Sequence, residues 1–325
     1  MLRILAIKAA KVTHPTGDPK FKVLQSFPAA FTAEEVSPFL MLDHFGPMIS
    51  TGLTGEDQFQ VPWHPHRGQD LLSYMISGNG RHADSMGNRE TFASPGIQWI
   101  SAGSGIEHAE GGGNEAGVAV EGFQIWTDVP RARKLDDPSY GTHGPDELPI
   151  INFGEGASVR LLAGSLRDQK GPFNAQADLM IADVTITQES GQAAWQVPAT
   201  HNTVLVYAFN GSGNVCGSAI KRGQVAQLDG KDATTRTISF AANGTTTNAT
   251  TAANTFRALV FTGKSLDQPI AWHGPFVMTS DAEIKQTLKD YQNGTFLRVR
   301  APYDYKSAAA GRAYALKKIA KGGEL

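Results

Sequence analysis

The 325 residues carry 29 Lys and Arg against 31 Asp and Glu, a formal charge of −2, and 41% of them are hydrophobic. That length suits two domains and the apolar share fills a core for each, so wholesale disorder is excluded. The near-neutral charge argues against a protein whose main task is gripping nucleic acid or an acidic membrane, and the single cysteine, Cys216, excludes a disulfide framework and a thiolate-rich zinc site.

The opening MLRILAIKAAKV is basic, but Lys8 breaks its apolar run and no clear small-residue cleavage site follows. Nowhere do 18 apolar residues run together, so the expectation is an intracellular, cytoplasmic protein with no membrane span. The sequons at Asn210, Asn243, Asn248 and Asn293 then read as chance matches. The 35 glycines and 17 prolines point to many short elements joined by tight turns.

In chain order, short strands are expected at LLSYMI (Leu71–Ile76), around Arg89–Phe92, and at IQWIS (Ile97–Ser101). GVAVEGFQIWTDV, Gly117–Val129, reads as two strands or as one bent at Gly122. Pro130–Pro149 is rich in proline and nearly free of apolar residues, and is the expected linker. The strand pattern resumes in SVRLLAGS, DLMIADVTIT, TVLVYAFNGSG and RALVFTG. The phrases LLSYMISGNG and VLVYAFNGSG repeat a strand-then-turn pattern in the two halves, which suggests a duplicated all-β barrel. Low-complexity residues 241–254 read as a mobile loop. GSGNVCG, Gly211–Gly217, leads into no helix and reads as a hairpin turn rather than a phosphate loop, with Cys216 as a buried thiol. AGSG around Ser104 lacks the elbow spacing of a hydrolase. Ser280 caps one helix with Glu283 completing a capping box; Ile284, Leu288 and Tyr291 share a face and Gly294 ends it. Gly311–Leu325, with Lys317, Lys318 and Lys321, reads as a solvated terminal segment.

The strongest chemical signal is WHPHRG, Trp63–Gly68. On an extended segment His64 and His66 point the same way and offer two nitrogens to one metal. SAGSGIEHAE, Ser101–Glu110, repeats the spacing with His108 and Glu110. Three imidazoles and a carboxylate suit a divalent first-row metal, and an octahedral shell would leave two positions open. These ligand types accept iron, manganese, nickel, copper or zinc. Arg67 is placed to fix the H-P-H loop by a charged hydrogen bond. His82 is either a donor behind a ligand or a turn histidine. His14, His143, His201 and His273 read as structural. Met41, Asp43, Phe45, Met75 and Phe123 are either pocket lining or core.

The ordered phrases FLMLDHFGP, HPHRGQDLLSYMISG, HADS, SPGIQWISAGSGIEHAE and GFQIWTDVP, with HGPFVM later, resemble the pirins, a bicupin family. The match covers nearly the whole chain, densely from Phe39 to Trp126 and thinly from Ile151 to Ile270. The resemblance implies two tandem cupin barrels: a metal-binding N-terminal cupin at 1–135, a linker at 136–150, a C-terminal cupin at 151–275 with no metal site, and a helix and tail at 276–325. His201 stands where that second barrel would begin its own site and has no H-x-H partner.

It further implies one Fe(II) held by His64, His66, His108 and Glu110. Several bacterial pirins open flavonols as quercetin 2,3-dioxygenases, releasing carbon monoxide and a depside, whereas animal members are described as nuclear transcriptional co-regulators. The first expectation is therefore a dioxygenase acting on a flavonol-like substrate and O2, with Glu110 accepting the proton of the substrate 3-hydroxyl. The alternative is a metal-dependent regulator acting through a protein partner, nuclear in a eukaryote, without direct nucleic-acid contact. Two departures stand out. Asp70 occupies the position four after the second histidine where pirins commonly carry Glu, and His44 stands where an acidic or apolar residue is common, which would put a polar group near the pocket mouth.

Overall fold

The structure is a computed structural model describing residues 1–15, 19, 21–113, 115–187, 190–231, 235–242 and 255–320. The sequons Asn243 and Asn248, most of the low-complexity segment and Lys321 lie outside the described residues. The chain forms two compact units, neither contiguous in sequence: Met1–Phe45, Gln124–Asp128 and Asp146–Asp267 make one, and Gly46–Phe123, Val129–Pro145 and Gln268–Leu325 the other. The strands Phe39–Ile49 and Ala119–Asp128 each run from one unit into the next. The second of these is one continuous strand through Gly122.

The first unit packs a seven-stranded antiparallel sheet, ordered Ile4–Ala9, Gln224–Asp229, Thr203–Asn210, Phe256–Gly263, Leu179–Ile186, Ala157–Ala163 and Ile150–Asn152, against a four-stranded one. The four strands are Gln192–Gln196, Thr237–Ala242, Ser212–Val215 and Ser218–Lys221. Alternate residues point to one side of a strand, so Ala182, Val184, Val204, Val206, Ala258 and Val260 meet Trp195, Ile238 and Phe240 in one core. Each fully buried branched side chain there contributes about 1.5–3 kcal/mol. The expected hairpin is present: Val215 pairs with Ser218, and both Cys216 (φ 48°) and Gly217 (φ 81°) take the left-handed conformation of a two-residue turn. The Cys216 thiol is half-buried at that turn rather than enclosed.

In the second unit a four-stranded antiparallel sheet is ordered Val61–His66, Ile106–Gly112, Asn79–Asp84 and Arg89–Ala93. Gln69–Ser77 pairs with Gly96–Ser101, and that with Ser139–His143. This last strand lies inside the expected linker, flanked by short turns of helix at Arg131–Arg133 and Pro145–Glu147. All five of its residues are partly exposed, so it carries no buried apolar alternation to read. Arg67 and Gly68 make the turn between Val61–His66 and Gln69–Ser77. Gly68 has φ +85°, and a Cβ there would sit 2.2 Å from the Val277 carbonyl oxygen. The Arg67 guanidinium is 2% exposed; it donates to Ser104 O (2.7 Å), Asp290 Oδ2 (2.6 Å), Thr287 Oγ1 and Phe296 O, and lies over the Phe296 ring.

The expected helix is Asp281–Gln292. Ser280 Oγ accepts from Glu283 N, and Gly294 follows in the left-handed conformation. Glu283 turns to Thr279 instead of closing the box on the Ser280 backbone. Ile284 and Leu288 pack with Phe276, Met278 and Phe296, and the Tyr291 ring, though 43% exposed, meets Phe296 edge-on at 5.3 Å on the same face. The tail differs from expectation: Ala308–Ala320 is helical, as its alanine-rich sequence favours, and among its described side chains only the first is buried. A capped single turn at Ala33–Val36 was also not anticipated. Among the described residues no helix is long and apolar enough to cross a membrane.

Candidate metal centre

Val61–His66 and Ile106–Gly112 are neighbours, with His64 directly opposite His108. Alternation puts His64 and His66 on one side of their strand and His108 on the same side of its own. Three imidazoles drawn from two strands thereby converge: one ring nitrogen from each lies within 4.8 Å of the others. His64 Nε2 and His108 Nε2 are 2.9 Å apart. Two nitrogens bound at a right angle to one ion, each at roughly 2.1 Å, are separated by about 3 Å.

The outer nitrogens set the tautomers. His64 Nδ1–H donates to Pro62 O at 2.8 Å, which leaves the lone pair on Nε2. His66 Nδ1 lies 3.2 Å from Pro275 O and 3.0 Å from Gln69 Nε2, and that amide also donates to Pro275 O at 2.8 Å. With Nδ1–H given to Pro275, His66 too presents Nε2. Burial, then the neighbouring imidazoles, hold His66 and His108 well below the ordinary histidine value, so both are neutral. Imidazole nitrogens of His64 and His108 facing each other at 2.9 Å, with His66 beside them, fit a divalent first-row cation. The His108 Nδ1 atom is buried without a hydrogen-bond partner.

Glu110 shares the face of His108 but not the cluster. Among the described residues its carboxylate lies outside the group of mutually close ligand atoms, and Oε2 accepts from Ser73 Oγ at 3.1 Å. A register shift between His108 and Glu110 breaks the pairing with Val61–His66 at this point. On the opposite face, Glu107 accepts from Tyr305 Oη (2.6 Å) and Lys306 Nζ (3.1 Å), which ties the C-terminal segment to the strand carrying His108. A cleft of about 670 Å³ elsewhere in this unit is lined by Arg81, Arg89, Tyr303, Arg312 and Tyr314 and includes none of the three histidines.

The family model described as Pirin matches residues 20–127, and that described as Pirin C-terminal cupin domain matches residues 181–297. A Pseudomonas aeruginosa protein described as "Putative quercetin 2,3-dioxygenase" is 30% identical over 302 residues, 92% of this chain and 99% of its own. The chain belongs to the pirin family. A pirin-like protein of Caulobacter vibrioides is 28% identical over 87% of this chain and 96% of its own. The crystal structure of a quercetin 2,3-dioxygenase from Acinetobacter baumannii aligns with a TM-score of 0.80 at 28% identity, covering 92% of this chain and 99% of that one. The fold is accordingly all-β, with the two-cupin arrangement of pirins.

In this pirin, Asp70 is fully buried and accepts from Ser101 Oγ at 2.6 Å. It is the preceding residue, Gln69, that reaches His66, a contact the sequence reading missed. His44 is 1% exposed with Nδ1 2.9 Å from Tyr207 Oη, so it is a core residue and not a group at a pocket mouth. His201 is held by Thr262 and Asp178, as a structural histidine would be. Asp43, Met75 and Phe123 are buried, and Phe123 stacks on Tyr74.

Proposed function

We propose that this pirin holds one divalent metal, Fe(II) foremost, on His64, His66 and His108 with Glu110 beside them, and that it opens flavonols with O2 to a depside and carbon monoxide. The observation that carries this is the convergence of three imidazoles within 4.8 Å in a chain similar over nearly its full length to a quercetin 2,3-dioxygenase. A bound ion supplies a Lewis acid that lowers the pKa of a coordinated hydroxyl and keeps positions open for small ligands. The protein's own part is orientation and proton handling. The Pro62 and Pro275 carbonyls fix ring rotation at His64 and His66. Glu110, held by Ser73 outside the imidazole group, accepts the proton of the substrate 3-hydroxyl at a carboxylate oxygen.

The test is metal analysis together with quercetin turnover under oxygen, for wild type and Glu110→Gln. Iron-loaded wild type is expected to bleach the visible flavonol band, and Glu110→Gln to retain metal but turn over roughly 100-fold more slowly or worse. An unchanged band with metal bound would remove the activity.

A further inference from the structure

His82 is fully buried beside the imidazole cluster and the chemistry proposed above does not use it. It lies on Asn79–Asp84, which pairs with Ile106–Gly112 so that Asp84 is directly opposite His108 and His82 directly opposite Glu110. Cross-strand partners share a face, so all four side chains point to one side of the sheet. The His82 ring lies 5.6 Å from the His108 ring and stacks on Tyr140 at 4.5 Å. Its Nε2 is 3.1 Å from Asp84 Oδ2. A carboxylate oxygen only accepts, so this nitrogen carries a proton, and in the neutral ring Nδ1 keeps the lone pair.

Two buried atoms then lack partners in adjacent rings: Nδ1 of His82 and Nδ1 of His108. Leaving both unmatched is costly in a core where an apolar side chain would fill the same space. Nor does the turn after Asp84 need His82, because Asp84 already accepts from Met86 N, Asn88 N and Asn88 Nδ2. The two orphans are complementary as soon as His108 presents Nε2 to a metal, since its proton must then sit on Nδ1.

We infer that His82 is a positioning residue for His108: its Nδ1 takes the Nδ1–H of His108, directly or through one water, while Asp84 holds the far side of the His82 ring. The chain Asp84–His82–His108 thus selects the His108 tautomer and ring orientation that the metal requires. This rests on the metal reading above.

Zinc affinity, measured by competition with a chromophoric chelator, tests it in wild type, His82→Leu and His82→Gln. The expected result is a loss of roughly 10- to 100-fold for His82→Leu, largely restored in His82→Gln, whose amide both accepts and donates. Wild type and His82→Leu binding within about threefold of each other would overturn the inference alone. A wild type that takes no zinc, iron or cobalt would remove the metal reading with it. Nitrogen-15 correlation spectra of zinc-loaded wild type give a second measurement that needs no variant. Protons on His108 Nδ1 and His82 Nε2 are expected, and a proton on His82 Nδ1 in place of Nε2 would overturn the assignment.

Discussion

Asp43 is 4% exposed, and burial raises its carboxyl from the ordinary 3.8 to about 6, with Gln25 Nε2 donating to it at 2.7 Å in partial opposition. The folded chain therefore binds this proton more tightly than the unfolded chain does. The stability that results is fully present below the unfolded value and is lost as pH rises through about 6, a change of about 3 kcal/mol for a shift of this size. Asp43→Asn removes the dependence, so denaturant melts should show the variant gaining on wild type at about pH 7.5 and matching it near pH 4. Equal effects at both would place its cost elsewhere. At this scale the sequence was legible for imidazoles and less so for carboxylates. The spacing of His64, His66 and His108 maps onto strand faces without further information. Glu110 obeys the same parity, yet Ser73, 37 positions earlier, determines where its oxygens rest.

The turn that delivers His66 depends on two adjacent residues with different jobs. Gly68 supplies a conformation and a lack of bulk, and Arg67 supplies a cation enclosed by Asp290, Thr287 and two carbonyls. Arg67→Met removes the buried guanidinium with its four hydrogen bonds and leaves Asp290 to Gln286 alone, and should cost about 3 kcal/mol in a urea melt. Gly68→Ala should cost about 1–3 kcal/mol in backbone strain alone, before the clash with the Val277 carbonyl. Values near zero for either would show that the turn tolerates rearrangement. The Asp281–Gln292 helix that provides Asp290 was readable from its cap and apolar spacing. Its link to Arg67 was not, because one buried ion pair across 223 positions leaves no local pattern. Backbone carbonyls are quieter still: nothing in the residue types at Pro62 and Pro275 marks them as the groups that orient imidazoles. The partly exposed strand Ser139–His143 and the tail helix were hidden for another reason, since both lack the buried periodicity from which elements are recognised.

All three histidines belong to one of the two units, so metal removal has a regional signature. Ligand binding stabilises the state that binds by RT ln(1 + [L]/Kd), about 2.7 kcal/mol at 100-fold excess over Kd. Hydrogen exchange read by mass spectrometry should therefore quicken on chelation in Val61–His66 and Ile106–Gly112 and stay unchanged in Thr203–Asn210 and Phe256–Gly263. Uniform acceleration, or none, would contradict a metal confined to the second unit. Strand content and duplication were legible at this scale because alternation and repeated turn phrases survive in the sequence. The exchange of segments between units was not, since it depends on pairings between distant strands.

That exchange bears on biogenesis. Gln268–Leu325 emerges from the ribosome after every residue of the first unit, yet it carries Asp290, Phe296, Tyr305 and Lys306, the partners of Arg67 and Glu107. A nascent chain displays its H-P-H motif some two hundred residues before the segment that anchors the loop exists. Maturation of the imidazole cluster is thus a late event, finished after translation has passed the last residue of the first unit.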